Sequence, residues 1–181
     1  MILILGKGVL ATALHSKIVN SKMVGRPDFD FAVQHDCDRL ISLYDPTVVI
    51  NTVAVNQQKD PWTILTTNFT SAVYLTLKFY DKMSQGQIIN IGSASSVWPS
   101  YPGIDTQRLC YNCTKENLAT FGRHFNRKIV DDKKPVTVST VELKRFASPM
   151  NNFHEGMNID RAVDAVLLIM QNQAQQITFT K

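Results

Sequence analysis

The first eleven residues restrict the chain more than any other stretch. Ile2-Leu3-Ile4-Leu5 is a short, unbroken apolar run that stops at Gly6. Such a run suits a strand buried on both faces, the situation inside a parallel sheet. It leads directly into Gly6-x-Gly8-x-x-Ala11, after which Ala13, Leu14, Ile18 and Val19 recur at helical spacing. A strand therefore turns through two glycines into a helix, and a parallel partner strand can be reached only through such a crossover.

The rest of the chain repeats this grammar. Further strands are predicted at Met23-Val24, closed by Gly25-Arg26-Pro27, then at Phe29-Asp30-Phe31, Thr47 to Val53, Gln87 to Gly92, Val136 to Val141 and Ile177 to Thr180. Helices are predicted at Cys37 to Tyr44, Pro61 to Ser84 with Asp60 as its N-cap, Tyr111 to Ile129, and Ile159 to Met170. Ser95 to Arg108 and Lys144 to Asn158 read as loops. Strands alternating with helices predict a three-layer α/β/α architecture: a Rossmann-like, doubly wound parallel sheet with helices on both faces. At 181 residues it forms one domain, residues 1–181. Ligands of such sheets bind beyond the carboxyl ends of the strands. The residues to inspect are thus Gly6 to Leu10, Gly25-Arg26, Asp30, Asn51 to Val55, Ser93 to Ser96 and Val141 to Met150.

Composition removes several classes of function. Nineteen basic and fifteen acidic residues give a formal charge of +4, and they are scattered, so no nucleic-acid footprint is expected. The opening apolar run is far shorter than the ~20 residues that span a bilayer and carries no cleavage-site pattern, so neither a membrane anchor nor a secretory leader is expected. Three cysteines, Cys37, Cys110 and Cys113, read as free thiols in a reducing, cytoplasmic setting. Cys110-x-x-Cys113 lacks the context of a redox dithiol or of a zinc half-site, the four histidines form no motif, and no metal is expected.

Two motifs carry chemistry. In Gly6-Lys7-Gly8-Val9-Leu10-Ala11 the first glycine permits a tight turn and the second lets backbone approach a pyrophosphate. The small Ala11 lets helix and strand pack closely, and the helix N-terminus attracts phosphates. This is a dinucleotide-binding pattern in its proper place. After the second strand, where a carboxylate would receive the ribose 2′-hydroxyl of NAD, stand Gly25-Arg26. A guanidinium suits a 2′-phosphate, with Lys7 as a second positive charge, so NADP is expected over NAD. The second motif is Tyr111-Asn112-Cys113-Thr114-Lys115. Tyr and Lys at i and i+4 share one helix face, and an ammonium near a phenol lowers the phenol's pKa. Such a pair can pass a proton to or from an alcohol oxygen.

The set has further members: Ser93 at the end of Ile88-Ile89-Asn90-Ile91-Gly92-Ser93, Asn68 inside a long helix, and Asn51-Thr52-Val53-Ala54 at a strand end. In order, type and approximate spacing it resembles the short-chain dehydrogenase/reductase family over nearly the whole chain. The resemblance implies Tyr111 as general acid/base, Lys115 holding the nicotinamide ribose hydroxyls, Ser93 bonding the substrate oxygen, and Asn68 kinking its helix and holding a water. It further implies Asp30 with Phe31 at the adenine, Asn51 to Ala54 along the cofactor, and Ser148 at the cofactor's amide or phosphates. Ser93 precedes Tyr111 by 18 residues, a long interval, so Ser95 and Ser96 remain candidates for the same role. One residue separates the first two glycines where the family has three, and Glu142-Leu143-Lys144 stands where the family has Pro-Gly.

The expected activity is therefore hydride transfer between NADP(H) and a small carbonyl or alcohol. Two other readings stay open: an extended-type nucleotide-sugar epimerase or reductase, and a non-enzymatic NADP-binding scaffold. The wide apolar faces of the helices from Pro61 and from Tyr111 predict a homodimer or homotetramer.

Overall fold

The inner strands of the sheet are buried along nearly their whole length, and the fold covers them on both faces. A computed structural model describes residues 1–55, 60–94, 106–146, 148 and 156–172, and the backbone of Gln176–Thr178. The strands are β1 (Ile2–Leu5), β2 (Ser21–Val24), β3 (Val48–Asn51), β4 (Gly86–Ser93), β5 (Val136–Leu143) and β6 (Gln176–Thr178). They form one sheet in the order β2-β1-β3-β4-β5-β6, parallel throughout. The helices are α1 (Val9–Lys17), α2 (Gln34–Leu43), α3 (Pro61–Leu65), α4 (Ser71–Lys82), α5 (Thr106–Asp132) and α6 (Ile159–Asn172).

Strand residues alternate between two apolar layers. Ile4, Ile50, Ile89 and Val141 point into a layer with Leu10, Ala11 and Leu14 of α1 and Ala162, Val163 and Val166 of α6. Leu3, Leu5, Val49, Ile88 and Val138 point the other way, onto Leu40 of α2, Leu75 and Phe79 of α4, and Phe125 and Ile129 of α5. This is the expected three-layer α/β/α architecture. The chain leaves β1 for β2 on one side and returns to β3 on the other, so the strand order reverses at β1. The crevice at such a reversal is where ligands of these sheets bind.

Three expectations are corrected. Phe29-Asp30-Phe31 is not a strand. Asp28 and Phe29 donate their backbone N–H to the Gly25 carbonyl at 3.0 and 3.3 Å, which curls the chain directly after β2. Phe29 and Phe31 then act as plugs in the α2 layer rather than as a ladder, and β2 is left as the edge strand. The helix from Pro61 is not uniform: a π-helical turn, Thr66–Thr70, separates α3 from α4. And α5 starts at Thr106, inside the stretch read as loop, because Gln107, Arg108 and Leu109 are good helix formers with no breaker among them. Smaller shifts affect the ends. β3 stops at Asn51, β5 continues through Glu142 and Leu143 in register with Gly92 and Ser93, and α2 begins three residues early at Gln34.

Candidate active site

The turn after β1 is fixed by backbone geometry. Gly6 has φ +107°, and a Cβ there would lie 2.5 Å from Thr52 Oγ1. Thr52 cannot retreat, because both its Oγ1 and its N–H donate to the Leu5 carbonyl, at 2.7 and 2.9 Å. Gly6 N–H in turn donates to Val24 O at 2.7 Å. Gly8 differs: it is the N-cap of α1, no side chain caps that helix, and no acidic residue sits in its first turn. A Cβ on Gly8 would meet nothing within 4 Å. The amide groups of Val9, Leu10 and Ala11 thus have no intrahelical acceptor and open onto free space at the positive end of the helix. Leu10 and Ala11 bury their side chains, leaving backbone for a ligand. The turn fits a pyrophosphate.

Around this turn the predicted charged residues find one another. Lys7 Nζ lies 2.8 Å from Asp28 Oδ2, and Arg26 reaches both oxygens of Asp30 at 2.9 and 2.8 Å. The Lys7 bond holds Asp28 below the usual carboxylate range. Partial burial works against ionisation of Asp30, but Arg26 and the Ala32 amide outweigh it and lower its pKa. Phe31 is buried in the core beside them.

The end of β3 is held by a buried polar ladder. Asn51 Nδ2 donates to Asn90 Oδ1 at 3.2 Å, and Asn90 Nδ2 donates to Thr76 Oγ1 at 3.1 Å. Asn51 Oδ1 accepts from Val53 N–H at 3.1 Å, which steers the chain off the sheet toward Ala54. Asn68, fully buried in the π turn, grips Val55 from both sides: its Oδ1 accepts from Val55 N–H at 2.7 Å and its Nδ2 donates to Val55 O at 2.9 Å. The π turn shifts the helix register there; such turns occur often at functional sites. Asn68 thus joins the helix to the strand end that borders the crevice.

Next to it, β4 and α5 bring the side chains with chemistry together. Tyr111 is hydrogen-bonded to Ser93, and Ser93 is the last residue of β4. Of the three serine candidates, Ser93 is the one seen to meet Tyr111; Ser95 and Ser96 lie outside the described residues. Lys115, one turn along, is 2% exposed and donates from Nζ to Ile91 O at 2.9 Å, with Nζ 5.9 Å from the centre of the Tyr111 ring. Among the described residues no carboxylate pairs with it, and burial pulls its pKa down to about 8. The Tyr111 ring keeps some surface, but its hydroxyl is desolvated, which raises its pKa against the opposing Ser93 bond. This corrects the expectation that the ammonium would lower the phenol's pKa: the amine bonds the Ile91 carbonyl, and desolvation dominates both groups. Ser148 is buried beyond β5, in the chain that follows Phe146.

Several residues that complete the site have no role assigned from the sequence. Asn90 and Thr76 support Asn51; a lone Asn inside Ile88-Ile89-Asn90-Ile91 was the available signal. Val55 is the partner of Asn68, and Ile91 gives Lys115 its acceptor. Glu142 is buried in register with Gly92, beside Ser93. Asp28 pairs with Lys7, which no local pattern announces.

No protein-family profile and no curated protein sequence matches the chain. Solved structures do. A short chain dehydrogenase from Burkholderia cenocepacia in complex with NADP superposes with a TM-score of 0.84 at 15% identity, over 99% of this chain and 88% of that one. A short-chain dehydrogenase from Sphingobium yanoikuyae in complex with NADPH gives 0.82 at 17% identity, over 98% and 86%. A GDP-L-fucose synthetase from Naegleria fowleri gives 0.68 at 20% identity, over 82% of this chain and 51% of that one. The chain has the Rossmann-like fold of the short-chain dehydrogenases and reductases.

Proposed function

We propose that this chain is a short-chain dehydrogenase/reductase that binds NADP(H) and acts on a small carbonyl or alcohol. One observation carries the reading: the Ser93–Tyr111 hydrogen bond, with Lys115 buried one helical turn away, lies at the carboxyl ends of the strands in the same sheet that presents the open glycine turn. The presence of NADP or NADPH in two of the similar structures supports it.

The residues divide the work. Val9, Leu10 and Ala11 amides would receive the pyrophosphate. Arg26 and Lys7 would meet the 2′-phosphate, Asp30 the adenine side, and Asn51 to Ala54 the length of the cofactor. Lys115 would hold the nicotinamide ribose hydroxyls and Ser148 the amide or a phosphate. The bound nicotinamide would supply the hydride chemistry. The chain's own task is the proton. Desolvation keeps Tyr111 a neutral phenol at neutral pH, which suits it to donate to a carbonyl oxygen. Ser93 would bond that same oxygen and stabilise charge as it develops there. Asn68, gripping Val55, would hold the strand end and the water route to Lys115.

The nucleotide-sugar reading has less support, because the fucose synthetase superposes less closely than the NADP-bound dehydrogenases, at a TM-score of 0.68 against 0.84 and 0.82. Self-association into a homodimer or homotetramer is a companion proposal, supported by the exposed apolar side chains Trp62 and Leu65 on α3, Leu77 on α4 and Leu109 on α5. Light scattering at micromolar concentration tests it; a monomer contradicts it.

The decisive variant is Tyr111→Phe, assayed by NADPH oxidation over a panel of carbonyls. Turnover should fall by about a thousandfold, while NADPH affinity stays within about twofold. Full activity in the variant would refute the assignment. Tight NADPH binding with no turnover by the wild type on any carbonyl would leave the scaffold reading instead.

A further inference from the structure

We propose that Asp28 and Asp30 set the choice between NADP and NAD by competing with the 2′-phosphate for Lys7 and Arg26. This rests on the nucleotide reading above and goes beyond it. The two cations predicted to select the phosphate are both already engaged, and by carboxylates from the same turn. The engagement is built in rather than incidental. Asp30 is fixed from two sides: its Oδ1 accepts from Ala32 N–H at 3.0 Å, and its own N–H donates to Asp36 Oδ2 at 2.8 Å. Asp28 sits in the turn closed on the Gly25 carbonyl, and Arg39 donates to its backbone oxygen. The stem of Lys7 lies against Gly25, where a Cβ would come within 3.3 Å of Lys7 Cγ. A third pair, Arg39 with Asp36 at 3.3 Å, completes the rim. Three cations thus face three carboxylates, and the rim carries no net positive charge.

That neutrality has a chemical consequence. A ribose 2′-hydroxyl adds no charge and can donate to a carboxylate, so NADH meets no repulsion. A 2′-phosphate carries a charge approaching −2 and meets two carboxylates before it meets a free cation. It gains Arg26 and Lys7 only by taking them from Asp30 and Asp28. Exposed ion pairs are individually weak, so the exchange is possible. The selectivity left over is small. The carboxylates therefore act as specificity-determining residues, and the wild type binds both nucleotides with a modest preference for NADPH.

The test is to titrate wild type, Asp30→Asn and Asp28→Asn with NADPH and with NADH. Asparagine keeps an oxygen for the Ala32 amide but releases the cation. Asp30→Asn should raise the NADPH-to-NADH affinity ratio by about tenfold, and the more exposed Asp28→Asn by about threefold. The gain from Asp30→Asn should vanish in the background of Arg26→Ala, since only a shared cation couples the two sites. A ratio unchanged in both single variants, or NADPH weakened in step with NADH, overturns the proposal while the nucleotide reading stands. Binding of neither nucleotide by the wild type overturns that reading itself.

Discussion

The turn after β1 and the side-chain cluster at the end of β4 are built from different materials. The turn is made of backbone: a glycine at positive φ, a threonine doubly bonded to the Leu5 carbonyl, and a helix end with no capping side chain. Beyond the Thr52 hydroxyl, side chains enter it at the rim, as exposed ion pairs. The second is made of side chains: a buried amine, a phenol whose hydroxyl is desolvated, and the half-buried serine that the phenol bonds. The first region costs the fold little, because its unsatisfied amides still face open space. The second holds a desolvated ammonium with no counter-charge among the described residues, which is a standing penalty on stability. One chain thus stores the means of binding in its backbone and the means of reacting in strained electrostatics.

Four substitutions test this contrast. The largest effect belongs to Gly6→Val. It forces a side chain against Thr52 at a φ that L residues rarely adopt, and should cost about 3 kcal/mol or more in denaturant unfolding while abolishing NADPH binding. A variant of wild-type stability would contradict the backbone origin of the turn.

Lys115→Met comes next and has the opposite sign. Below pH 8 Lys115 is protonated in both folded and unfolded chains, and its burial penalty is present in full. Between pH 8 and 10.5 the folded chain has released the proton and the unfolded chain has not, so stability climbs with pH. Above 10.5 both are neutral and the penalty is gone. The drop from 10.5 to about 8 corresponds to roughly 3 kcal/mol. Allowing for the lost bond to Ile91, Lys115→Met should stabilise the protein by about 2 kcal/mol at pH 7. The difference should fade toward pH 10.5, as turnover is lost. Equal destabilisation at every pH would show that the amine is structural.

Asn68→Ala, read by chemical denaturation, should cost about 2 kcal/mol, because it strands both backbone groups of Val55. A change below about 0.5 kcal/mol would mean that water replaces the side chain without loss. Smallest in stability is Gly8→Ala, within about 0.5 kcal/mol, since its Cβ meets nothing. Its NADPH affinity should nonetheless fall by about tenfold, because the new methyl stands where phosphate must approach. An unaltered affinity would place the pyrophosphate elsewhere.

How much of this was legible in the sequence follows from the same division. Gly6-x-Gly8-x-x-Ala11 announced the turn because backbone requirements leave a glycine signature at fixed spacing. The strands β1, β3, β4 and β5 were legible because a strand buried on two faces is rich in apolar and β-branched residues on both. Phe29-Asp30-Phe31 misled because two aromatics fitting into a core look locally like a strand. The π turn has no residue signature beyond Asn68 itself. Tyr111, Lys115 and Ser93 were legible as types, but their electrostatics were not: how desolvated the phenol and amine become depends on packing between β4 and α5. The ion pairs of Arg26 and Lys7 depend on how the chain curls after Gly25, which a single misread strand was enough to hide.

The most direct measurement is a crystal structure with NADP bound. The expected result places the pyrophosphate on the amides of Val9 and Leu10, the ribose hydroxyls on Lys115, and the nicotinamide ring beside Tyr111 and Ser93. A well-ordered nicotinamide directed away from Tyr111, with Lys115 still bonded only to the Ile91 carbonyl, would contradict the proposed chemistry.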